Sequence, residues 1–199
     1  MTIKQLGEMW SRVPRLWLFA IVGLVQVALI ALMVGDRVRV LRSGTEVKLQ
    51  TRAVDPRDLL RGDYVVLNYD ISQIEAPALR DTPSAEKGSV VYIKLARQAD
   101  GFHTFASVHR EPVAVADGEV LILGRIRNGL TCGPQSKSYC LQINYGLESF
   151  FVPQGEGREI EKARNQGKVA VIASVAPGGR AAIKRLLLDG KPVYDEPLF

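Results

Sequence analysis

The residues best suited to chemistry are crowded into one short stretch. Asp55, Asp58 and Asp63 are interleaved with Arg57 and Arg61 within nine residues. Close carboxylates can bind a hard cation or split their pKa values for acid–base work. They can equally cap a turn. Pro56 fixes one φ angle and pushes Asp55 out of the helical region, and aspartates there reach nearby backbone N–H groups. The readings stay open: a capped loop with exposed ion pairs, a polar recognition site at the mouth of a β-domain, or a hydrolase or metal-dependent site using the three aspartates. No residue is assigned a catalytic role, and no metal or cofactor is implied.

The remaining candidates are weaker. His103 and His109 lie six apart on one proposed strand and together cannot fill a metal sphere. Ser72 and Ser107 have no activating partner visible in the sequence, and no G-x-S-x-G elbow occurs. Cys132 and Cys140 enclose a loop containing Gly133 and Pro134. In an exported domain such a pair at a hairpin tip predicts a disulfide.

The elements that must position these groups read mostly as strands. Arg61 to Ile71 predicts a turn followed by one strand, with Val65, Leu67, Tyr69 and Ile71 on its apolar face. Val47, Leu49 and Thr51 predict a strand face before it. Further strands are expected over 89–95, 102–108, 120–126, 140–144, 168–175, 181–188 and 192–196, separated by turns such as Asp100-Gly101 and Asp189-Gly190. Charged, glycine-bounded residues 155–167 suggest the single helix of this part. The expected class is mostly β, barrel- or sandwich-like, with one short helix.

Two blocks carry a family resemblance. Gly62-Asp63-Tyr64-x-x-Leu67-x-Tyr69 matches the signature of the GDYXXLXY family of bacterial membrane-anchored proteins, and Asp55-Pro56-Arg57-Asp58 resembles its lead-in. Asn144 to Gly157 resembles its second block, placing Tyr145, Gly146, Glu148 and Phe151 on motif positions; Gln154 stands where an acid is usual. The resemblance implies no particular activity. It implies a multi-pass membrane protein as the usual genomic neighbour, hence as a candidate partner. A cell-wall or lipid ligand is a further possibility, and would need an aromatic-lined groove. Leu59 to Val65 also resembles the stretch after the nucleophile of signal-peptidase-like Ser/Lys hydrolases. Val54 occupies the position of that serine and has no nucleophilic atom.

Leu16 to Val34 form nineteen residues without a charge, long enough to cross a hydrocarbon core of about 30 Å. They predict an uncleaved signal anchor, since Leu29/Ala31 and Met33/Gly35 make poor cleavage sites. The expected plan is a cytoplasmic arm (1–15), a membrane span (16–34), an extended connector (35–44) and a periplasmic β-domain (45–199). Ala20, Gly23, Val27 and Ala31 share one helix side, with Gln26 on its flank. Small residues and an amide there suit contact with another helix. The net charge of +5 is spread along the chain, without nucleic-acid-binding signatures.

Overall fold

The computed structural model describes residues 15–53, 64–76, 86–132, 138–152 and 157–195. Contacts divide the chain into two units, one reaching Val38 and the other starting at Arg39.

The first unit is built on helix α1 (Arg15–Ser43). Its apolar side chains point out on every side: Phe19, Leu24 and Met33 are each at least 71% exposed. A helix apolar all round with no protein core against it is suited to lipid. The segment Trp17–Arg42 is long and apolar enough to span a bilayer.

The extended connector expected after Val34 is not formed, because α1 runs on to Ser43. Adding a residue to an existing helix is easy once it is nucleated, and nothing at 35–42 forbids it. Within the second unit, Val40 and Leu41 are buried with Ala182. The Ser174 hydroxyl donates to the Val40 carbonyl at 2.6 Å. The helix stops before Gly44, where only glycine fits: a Cβ there would meet Ser174 Oγ at 2.2 Å and the Val175 nitrogen at 2.9 Å.

The second unit is mostly β, as its alternating pattern predicts. One antiparallel sheet orders β12 (Lys191–Asp195), β11 (Ala181–Leu188), β10 (Val169–Val175), β1 (Thr45–Arg52) and β3 (Asn68–Tyr69). A second orders β4 (Gln73–Glu75), β8 (Tyr139–Asn144), β7 (Glu119–Thr131), β5 (Val90–Arg97) and β6 (His103–His109). A two-stranded ribbon joins β2 (Tyr64–Val66) to β9 (Ser149–Phe151). Inward side chains of both sheets and of the ribbon form one apolar cluster, including Leu49, Leu67, Ile93, Ile122, Leu141 and Val171. The short helix α2 (Gly157–Asn165) falls within the segment expected for it and buries Ile160 and Arg164.

The single strand expected through Ile71 is broken. Val65, Leu67, Tyr69 and Ile71 are all buried, as alternation requires, yet β2 pairs with β9 and β3 pairs with β1. The chain changes sheets at Leu67, and Asp70–Ser72 tighten into a 3-10 turn. Alternation fixes which side chains point inward, and is silent about which strand lies alongside.

Cys132 and Cys140 are disulfide-bonded, with Cα atoms 5.0 Å apart, at the end of the β7–β8 pairing. Closing a loop of this length constrains the unfolded chain by about 2.5 kcal/mol on the chain-entropy model. Reduction, or the pair Cys132→Ala and Cys140→Ala, is therefore expected to lower the domain's unfolding free energy by about 2 to 3 kcal/mol. Denaturant titration with and without reductant measures it, and an unchanged midpoint contradicts the expectation.

Candidate functional site

The two blocks of the sequence signature meet in space. Tyr64, Val65 and Val66 pair with Phe151, Phe150 and Ser149. Beyond the ribbon, regular pairing stops, and side chains take over the main-chain hydrogen bonding. The Tyr69 hydroxyl donates to the Leu147 carbonyl at 2.6 Å. The Tyr145 hydroxyl donates to the Ile71 carbonyl, also at 2.6 Å. Each block thus supplies a phenol that satisfies a carbonyl of the other. The Leu67 N–H donates to the Glu148 carbonyl at 2.9 Å.

Glu148 stabilises the turn between these contacts. Its carboxylate accepts the N–H groups of Tyr145 and Gly146. Gly146 has φ 77°, which favours glycine at that point. Arg164 was legible in the sequence only as part of a charged helix. It is nonetheless buried, and its guanidinium donates to the Val66 carbonyl and to the Asn165 side chain. Ile160 and Arg164, four apart, share one helix face; that spacing was the available signal. Burial holds the Arg164 pKa below its ordinary value, with Glu161 opposing.

The other signature positions divide as follows. Leu67 is fully buried, whereas Phe151 is 79% exposed on the ribbon's outer side, where Val66 is 38% exposed. Asp55, Arg57, Asp58, Arg61, Gly62 and Asp63 lie outside the described residues. Ala20, Gly23, Gln26, Val27 and Ala31 lie along α1, and Val27 is 64% exposed.

The histidines are hydrogen-bonded. His103 is buried, and its Nδ1 accepts the Lys48 N–H at 3.2 Å. Burial and the nearby Arg97 charge lower its pKa. It borders a cleft of about 530 Å³ that also holds Glu46, Lys48, Arg97, Asp100 and Glu119. The mixed charges of that cleft select no class of ligand. Among the described residues, no group of three His, Cys, Asp or Glu is placed to hold a metal.

Ser107 requires a correction. Its hydroxyl lies 2.7 Å from His109 Nε2, so a partner exists that the sequence did not reveal. The two are i and i+2 on β6, where side chains share a face. A nucleophile–base pair also needs a third group to orient the base. Among the described residues, none hydrogen-bonds the other nitrogen of His109.

Taken together, these features define a class: a β-domain preceded by an apolar helix, with Tyr69, Tyr145 and Glu148 committed to its architecture. The chain belongs to the GDYXXLXY protein family, whose model matches residues 26–186. No curated protein and no solved structure matches it.

The buried phenols make stability depend on pH. Burial, reinforced by the Glu148 charge, raises the pKa of Tyr69 and of Tyr145 well above the ordinary tyrosine value. The folded state then keeps two protons that the unfolded chain releases. The stability is complete below the unfolded pKa near 10, and is lost as pH rises through the folded values. Between about pH 10 and 11.5, unfolding free energy should fall by up to about 2.7 kcal/mol per pH unit from these two groups. Tyr145→Phe should halve that slope. A native profile flat through this range refutes the assignment.

Proposed function

We propose that the protein is a non-enzymatic, single-pass membrane subunit bound to a multi-pass integral membrane protein. Its short N-terminal arm lies in the bacterial cytoplasm, α1 crosses the inner membrane, and its β-domain stands in the periplasm. The observation that carries this reading is where three described signature side chains go. Tyr69, Tyr145 and Glu148 are all bonded to main-chain groups within the fold. These three side chains hold the fold together, which supports an architectural over a catalytic role for them.

Three further features support it. The exposed helix has open space around Gly23, and an approaching helix fits best at small residues. Gln26 beside it gains from an interhelical hydrogen bond. The Cys132–Cys140 bond suits an oxidising compartment. The outer side of the ribbon, with Phe151 and Val66, offers the domain a second contact to the same partner.

A pull-down in mild detergent tests the complex. Native protein should recover an integral membrane protein. Gly23→Leu with Gln26→Leu should recover roughly fivefold less, a loss of about 1 kcal/mol, and Phe151→Ser should add to the loss. Recovery of no integral membrane protein by the native chain overturns the proposal; undiminished recovery by the double variant removes the helix face from it. Alkylation of the exported chain, with and without reductant, checks the compartment. Free thiols in both samples would place the domain elsewhere.

A further inference from the structure

A second cleft lies between the two sheets, beside the junction of the signature blocks. It measures about 70 Å³, and the residues lining it include Arg52 and Arg127 with Asn68, Gln73, Gln142 and Asn144. No acidic residue lines it among the described residues, in contrast to the mixed cleft at His103.

The backbone assembles this set from five strands. Arg52 ends β1 and lies opposite Asn68 of β3. Gln73 of β4 lies opposite Gln142 of β8. Arg127 stands at an irregularity: the β7–β8 register shifts between Ile126 and Asn128. An extra residue of this kind is left unpaired and its side chain is re-aimed. Among the described residues, two exposed arginines, Arg52 and Arg127, thus border one small cleft with no carboxylate paired to either.

The donors in this set define the ligand. Each guanidinium offers a planar fork of N–H groups matched to an oxyanion, and each amide can add an NH2. A carboxylate has only two oxygens in one plane. A phosphoryl group presents oxygens in several directions, as a site walled by two sheets requires.

We infer that this cleft is a phosphate site, with Arg52 and Arg127 supplying its charge and the four amides its remaining donors. The phosphoryl group belongs either to free phosphate or to a phospholipid headgroup. The inference stands apart from the proposed membrane partner.

Calorimetric titration of the full chain in phosphate-free maltoside detergent, at constant ionic strength, tests it. The probes are inorganic phosphate and glycerophosphoglycerol, the latter a soluble phosphodiester headgroup. At least one is expected to bind saturably with a stoichiometry near one. Preference for inorganic phosphate identifies the free ion; equal or tighter binding of the diester identifies the headgroup. Arg52→Gln and Arg127→Gln should each weaken binding at least about tenfold, roughly the contribution of one charge-assisted fork. Arg52→Lys and Arg127→Lys, which keep the charge and lose the fork, should fall between native and glutamine forms. Arg97→Gln, at the other cleft, should bind as native. No saturable binding of either probe up to roughly 20 mM, a value weaker than a specific site would show, overturns the inference. So does native-like binding by both glutamine variants, or an equal loss in Arg97→Gln.

Discussion

A carbonyl buried without a donor costs on the order of 1–3 kcal/mol. That cost falls on this domain where its backbone is least regular. At Leu67 the chain leaves the ribbon for a sheet, at 70–72 it tightens, and at 145–148 it turns before re-entering the ribbon. Strand ladders cannot serve every carbonyl there. Val66 is served by Arg164, Leu147 by Tyr69 and Ile71 by Tyr145. The exchange of phenols between blocks makes the two turns mutually dependent. Neither can move without leaving a buried acceptor in the other unmatched.

The same arrangement places the walls of the polar cleft. Neighbouring residues on an extended chain point to opposite sides. With the Tyr69 and Tyr145 rings held inward, Asn68 and Asn144 are turned outward toward solvent and the cleft. The inner hydrogen bonds are architectural, and the residues beside them line the cleft. A signature that reads as one functional unit thus separates into a structural side and an exposed side.

Proximity of reactive groups elsewhere has simpler origins. Ser107 and His109 meet because residues two apart on a strand share a face. His103 is tied to the Lys48 backbone at the contact between β1 and β6, and Lys48 Nζ lies 4.1 Å from the centre of the Phe102 ring. These contacts fasten an edge strand to the neighbouring sheet. The apolar helix has a different role: its large apolar side chains from Phe19 to Val34 are exposed, and its composition suits it to lipid.

Much of this was legible in the sequence, for physical reasons. A period of two made Val65, Leu67, Tyr69 and Ile71 inward-facing before any partner was known, and nineteen uncharged residues marked the membrane-suited helix. Cys132 and Cys140 were close enough along the chain for their bond to be expected. Tertiary structure decided what depends on distant residues. It carried α1 through to Ser43, because Val40 and Leu41 find burial beside Ala182 and the helix meets no obstacle before Gly44. It broke the expected central strand, because Tyr64–Val66 pair with β9 and Asn68–Tyr69 pair with β1. It turned Arg164 from a surface charge into a buried donor. It also drew Arg52 and Arg127, seventy-five positions apart, to one cleft through strand pairing and a register shift that no local pattern records.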